Sequence, residues 1–363
     1  MKTFLQFIFI SCLVISFSFS KSIKVTTQEI VSGLTEPWGM AFLAKDTALI
    51  TQKNGQIYLL NIDTKKLTQV QNPLKVFYYR QGGLLDVQVS PTFKQDGWIY
   101  FTYAKKMANK GATTLIRAKL NGNKLDSLEE LLVTKPFSGS GVHFGSRITF
   151  DENGHLYFSI GDRGSRPNGQ DINTHAGTIV RLNLDGSIPR DNPFVGKQGL
   201  DEIYSYGHRN PQGIFYDKKS KKLFAIEHGP RGGDEINLIE KGKNYGWATI
   251  SYGREYWSNK AVGESTHKDG MEQPIKVYTP SIAPSSLLVY SGKIFKHWRG
   301  NLLSGALVLT HLNRIVLDIN NKVIYEERVF EDLEERIRNV IESPDGFIYL
   351  TTDSGKILKV VTY

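Results

Sequence analysis

One phrase recurs six times along this chain and limits what it can fold into. A turn built from Asp, Asn, Lys or Gly leads into a short apolar and aromatic run: DTALIT (46–51), DGWIYFTY (96–103), NGHLYFSIGD (153–162), KKLFAIEHG (221–229), GNLLSGAL (300–307) and DGFIYLTTD (345–353). Successive copies start roughly 45 to 80 residues apart, a spacing typical of radially stacked sheets. Each interval has room for one four-stranded blade and its loops. Further strands fit between the copies at GQIYLLN (55–61), TTLIRAKL (113–120), TIVRLNL (178–184) and KILKVVTY (356–363). The last of these is expected to pair with KVTTQEI (24–30), closing the ring and removing its exposed edges. Few segments carry a helical period. The expectation is an all-β, six-bladed β-propeller, with the long connections 185–200 and 251–281 as loops on its active-site face. A β-sandwich with insertions is the alternative.

The first twenty residues, MKTFLQFIFISCLVISFSFS, place a Lys before an apolar run and small residues at Ser18 and Ser20. That order marks a secretory signal peptide cleaved after Ser20, leaving 21–363 as a single exported propeller domain. The run is short for a spanning helix and no stop-transfer pattern follows, so stable membrane insertion is not expected. Cys12 is the one cysteine, and the mature chain would contain no disulfide. The formal charge of +9 is spread through small Lys clusters. Nucleic-acid binding would want a concentrated basic face, whereas an anionic small ligand is compatible with this distribution.

Four stretches hold candidate chemistry. His143 stands in a Gly-flanked turn, VHFGSRI, before a strand; a lone histidine is more often structural, though neutral imidazole suits general-base work. In GHRNPQG (207–213), Arg209 either caps backbone carbonyls or offers its planar fork to a carboxylate or quinone oxygen. Arg336 and Arg338 alternate where a strand begins and project the same way, as a solvated face or as a pair for a polycarboxylate. EHGPRGGDEIN (227–237) is either an ordinary acidic turn or a set of carbonyls and carboxylates suited to Ca²⁺. No HExxH, CxxC pair or Walker-type loop is present, which leaves zinc hydrolysis and nucleotide chemistry without support.

Taken in order, GLTEPWGMAFL (33–43), QGGLLDVQVSP (81–91), HFGSRI, GDRG, GHRNPQG, EHGPRGGDEINLI, NYGW (244–247), ERIRNV and SPDGFIYLTTD resemble the soluble aldose sugar dehydrogenases that depend on pyrroloquinoline quinone (PQQ). The likeness spans nearly the whole mature chain. It implies a six-bladed propeller and oxidation of an aldose at C1 to the lactone, with electrons passed to an external acceptor. By the same resemblance His143 is the base, and Gln81, Arg209, Asn210, Arg336 and Arg338 hold PQQ, with Tyr256 against the cofactor. The carbonyls of Gly229 and Pro230 match the positions for the Ca²⁺ riding on PQQ. Glu235 and the carbonyl of Tyr245 match a second, structural calcium site. One departure stands out: several members carry a Lys near the place of Val308, where this chain reads GALVLTHLNR, with Thr310, His311 and Arg314 as possible substitutes. The competing readings are a calcium-dependent, lactonase-like propeller hydrolase and a non-catalytic propeller that binds sugar or protein. The arginine pair disfavours the first of these, because a neutral lactone has no use for it. Both monomer and homodimer are compatible with the sequence.

Overall fold

The computed structural model describes residues 24–363; the signal segment and Cys12 lie outside the described residues. Six four-stranded antiparallel sheets follow one another as blades at 37–70, 84–133, 148–206, 211–278, 288–329 and 337–362. Blade 6 borrows its outermost strand from the other end of the chain. Val25–Val31 pairs antiparallel with Ile357–Thr362, from Val25 opposite Thr362 to Val31 opposite Ile357. The expected six-bladed ring and its closure are both borne out.

The six recurring phrases all become one element, the second strand from the axis: Thr47–Gln52, Ile99–Met107, His155–Ile160, Lys222–Glu227, Leu302–Gly305 and Ile348–Thr352. Such a strand has a neighbouring blade on each face, so both of its faces need apolar side chains and its sequence reads as a nearly continuous hydrophobic run. Three of the six show one burial pattern, a half-exposed first residue followed by five buried ones.

The core is accordingly divided into slabs between blades. Leu49 and Ile57 of blade 1 meet Phe101 and Ile116 of blade 2. Tyr100 and Leu115 meet Phe158 and Val180, Ile179 meets Ala225 and Ile239, and Ile226 meets Leu302 and Ile315. Leu303 and Leu312 of blade 5 pack on Ile348 and Leu350 of blade 6. Ile30, Tyr349 and Ile357 complete the circle against Met40 and Ile50 of blade 1. Truncating one such Leu to Ala costs roughly 2–5 kcal/mol.

The connection 185–200 is irregular, as expected. The stretch 251–281 is not loop throughout: Lys276–Tyr278 forms the outer strand of blade 4, with Tyr278 buried on Ile282 and Leu302. Only three residues long, that strand carries too little apolar pattern to stand out. Among the described residues no helix is long and apolar enough to cross a membrane.

Arg147 closes the axis. It stands just before the inner strand of blade 3, is 4% exposed, and touches every other blade. Its Nη1 donates to Asp86 Oδ1 (2.9 Å) and the Trp38 carbonyl (3.4 Å). Nη2 donates to the carbonyls of Ser285 (2.9 Å) and Arg338 (2.8 Å), and Nε to that of Gln212 (3.1 Å). Its guanidinium also lies 3.9 Å from the centre of the Trp38 ring. Burial lowers it to about 10, which leaves it charged at neutral pH.

Candidate active site

Above Arg147 lies a cavity of about 260 Å³ lined by Gln81, Asn210, Arg336, Arg338, Lys53 and Arg80 among others. Phe144 and Gly145, the residues after His143, form part of its wall. Four cationic side chains face two acids there, Glu36 and Asp353, so the cavity carries net positive charge.

His143 is built into a strained turn. Its φ of 56° is left-handed, which costs a residue with a Cβ, and two neighbours hold it there. Gln81 Oε1 accepts its backbone N–H (2.7 Å), and Arg163 donates to the carbonyls of Ser140 and Val142 while lying over the Phe144 ring. Gly161 packs beneath the turn, where a Cβ would come within 2.4 Å of the His143 carbonyl.

The imidazole Nδ1 meets Asp162 Oδ1 at 2.6 Å. Burial works to raise the Asp162 carboxyl, but hydrogen bonds from His143, the Gly164 N–H and the Trp247 indole win and hold it below its ordinary value. An ionised Asp162 can only accept, so Nδ1 carries the proton and Nε2 keeps its lone pair. Burial, helped by the charges of Arg209 and Arg163, keeps His143 below the usual imidazole value despite Asp162. The result is a neutral histidine, fixed in one tautomer, beside a cationic cavity.

Arg336 and Arg338 do project together, and both grip one carboxylate. Arg336 Nε reaches Asp353 Oδ2 (2.9 Å), while Arg338 Nε and Nη2 reach the two oxygens (2.7 and 2.8 Å). Arg336 Nη1 donates to the Leu307 carbonyl (2.8 Å). One terminal nitrogen of each guanidinium is left over for a ligand. Asn210 Oδ1 accepts from Gly145 N (3.2 Å) and Gln212 Nε2 (3.2 Å).

Arg209 faces a neighbouring cavity of about 10 Å³, room for roughly one water or ion, with Gly229, Glu235, Tyr245 and Glu227. The Arg209 backbone N–H donates to Glu227 (2.7 Å) and its Nη1 to the His228 carbonyl (3.1 Å). His228 lines both cavities, and burial draws it down to about 4. Burial and the charge of Glu227 push Glu235 up to about 8. A buried carboxylate pair of this kind fits a cation. Among the described residues no three His, Cys, Asp or Glu side chains converge as a ready metal cluster, so a Ca²⁺ here would draw on backbone carbonyls as well. The Pro230 carbonyl already accepts the Arg254 N–H (2.8 Å), which leaves it one lone pair.

Tyr256 lines neither cavity; it is 59% exposed, its carbonyl held by Arg231 Nη1. Val308 is exposed at 60%. His311 is buried on the Leu309 carbonyl and Arg314 is paired with Glu327, so neither stands in for a lysine at the cavity.

The sequence reading missed Asp162 and Asp353. Both close a copy of the recurring phrase, as the acids of SIGD and LTTD, at the top of a second strand. An acid ending a buried apolar strand needs a partner, and that is the signal that could have found them.

A six-bladed propeller with a histidine–carboxylate pair and clustered arginines at its mouth has the make-up of a propeller oxidoreductase, and the chain belongs to the glucose/sorbosone dehydrogenase family, whose model matches residues 34–359. Among its relatives is the aldose sugar dehydrogenase YliI of Escherichia coli, 37% identical, covering 93% of this chain and 92% of that one. Quinoprotein glucose dehydrogenase B of Acinetobacter calcoaceticus is 29% identical, over 93% of this chain and 87% of that protein. The PQQ-bound aldose sugar dehydrogenase of Streptomyces coelicolor superposes with a TM-score of 0.77 at 25% identity, covering 94% of this chain and 99% of the other. The resemblance read from the motifs is borne out.

Proposed function

We propose that this protein oxidises an aldose at C1 to the lactone with PQQ, and passes the electrons to an external acceptor. The observation that carries the reading is the neutral His143, locked by Asp162 with Nε2 free, beside a cavity whose unspent guanidinium nitrogens suit a polycarboxylate. Nε2 removes the proton from the C1 hydroxyl as hydride leaves C1, and Asp162 stabilises the imidazolium that forms. When bound, PQQ supplies the two-electron acceptor and Ca²⁺ polarises its carbonyl as a Lewis acid.

Arg336 and Arg338 hold the cofactor carboxylates with their remaining donors, joined by Gln81, Asn210 and Arg209; Lys53 and Arg80 add positive charge in the absence of a lysine at Val308. Gly229 and Pro230 offer carbonyls to the cofactor's Ca²⁺, while Glu235 and the Tyr245 carbonyl take the second ion. Residues 1–20 export the chain, and 21–363 works as one propeller domain in the periplasm.

The test is reduction of an artificial redox dye by purified protein with glucose and other aldoses, with and without added PQQ and Ca²⁺. Activity that needs both additions is the expected result. Failure of every aldose with both present would sink the reading.

A further inference from the structure

We propose that Trp247 is a positioning residue for the base, its indole N–H fixing Asp162 in the orientation that leaves His143 Nε2 free for the sugar. The inference rests on the reading of His143 as base.

Asp162 is buried and has two oxygens to satisfy. Oδ1 takes His143 Nδ1 (2.6 Å) and the Gly164 N–H (2.7 Å), while among the described residues the hydrogen bond to Oδ2 comes from Trp247 Nε1 alone, at 2.7 Å. Without the indole, Oδ2 would be an unmatched carboxylate oxygen in a dry site, and more of the carboxylate's charge would bear on the His143 imidazole.

Trp247 is held in place: it is 7% exposed, its backbone N–H donates to the Gly207 carbonyl (2.9 Å), and its own carbonyl accepts Gln170 Nε2 (2.7 Å). Gly169 lies against it so closely that a Cβ there would come within 2.3 Å of the Trp247 carbonyl. The guanidinium groups of Arg209 and Arg166 lie 5.4 and 5.9 Å from its ring centre. Arg166 is in turn held by two hydrogen bonds to Glu255 (2.7 and 2.8 Å). A tryptophan present only for packing has no need of an N–H aimed at a buried carboxylate.

The charged and titratable groups around His143 are Asp162, Arg163, Arg209 and His228. Removing the indole donor leaves more of the Asp162 charge facing His143, which strengthens the imidazole's hold on a proton. The acid limb of kcat should move to higher pH by about one unit, so that kcat well below the limb falls roughly tenfold, the scale of one charged hydrogen bond. KM for sugar and affinity for PQQ should hold.

The decisive variant replaces Trp247 with benzothienylalanine, which keeps the ring shape and exchanges N–H for sulfur; Trp247→Phe is run beside it. Two readouts are taken: the titration of His143 by ¹⁵N NMR without sugar, and the pH profile of kcat in the PQQ- and Ca²⁺-loaded enzyme. An upward shift in both supports the proposal. A well-folded benzothienyl variant with wild-type His143 titration and a wild-type profile overturns it. A shifted titration with an unmoved profile upholds the positioning and removes His143 from the role of base.

Discussion

Arg147 and the pair Arg336 and Arg338 belong to the same axis, and the Arg147 guanidinium donates to the Arg338 carbonyl. Their surroundings differ in one respect. Arg147 is surrounded by acceptors: one carboxylate and carbonyls from four other blades. Arg336 and Arg338 share a single aspartate, and the side chain of Arg336 is 49% exposed. The lesson is that residue type does not separate a structural arginine from a ligand-binding one; the balance of donors and acceptors does. The same contrast sets the saturated plug apart from the region above it, where His143 Nε2 and Glu235 are also left incompletely matched.

The strongest way to break this comparison is Arg147→Met. It strands Asp86 as a buried charge and frees carbonyls in several blades, so chemical denaturation should show a loss of about 3–5 kcal/mol or no folded protein. Arg336→Met should change stability by no more than about 1 kcal/mol, as for exposed pairs. Equal stability of the two variants would erase the distinction.

Next in size is His143→Ala, expected to fold and bind PQQ but to lose roughly 10²-fold or more in turnover. In the unaltered protein the acid limb should fall below the ordinary imidazole value of 6.5, because burial disfavours the charged form and the neutral base persists to lower pH. A limb well above 6.5 would contradict the geometry at Asp162.

Arg336→Ala or Arg338→Ala should weaken PQQ roughly 10- to 100-fold in a direct binding titration, the worth of one charge-assisted hydrogen bond. Unchanged affinity in both would place them with Arg147 as structural.

The smallest effect concerns Glu235. Its folded value near 8 lies above its unfolded one of 4.5, so the folded state binds the extra proton, and stability falls as pH rises toward 8. Below about 6.5 the depressed His228 works in the opposite sense, because its unfolded form takes up a proton first. With chelator present, thermal midpoints should therefore drop by a few degrees between pH 6.5 and 8, and Ca²⁺ or Glu235→Gln should flatten that slope. A slope that persists in Glu235→Gln would assign it elsewhere.

The fold was legible because its most repetitive element is also its most buried. Second strands packed between blades need apolar residues on both faces, and the same phrase returned six times. The inner strands and the residues leading into them were harder to read, because facing the axis brings Arg147, Gln212, Ser286 and Asn339 into what would otherwise be an apolar alternation. The short outer strand Lys276–Tyr278 passed as loop for want of length.

The sequence by itself determined the propeller, its closure by the two chain ends, and the residues offered to chemistry, since local burial and motif order are written along the chain. Only the tertiary structure decided which of those residues act together. Asp162 meets His143 from the far end of a second strand, Asp353 binds two arginines across a blade, and Trp247 reaches Asp162 from another blade. Hydrogen-bond balance at the axis is a property of six blades converging, and no single segment carries it.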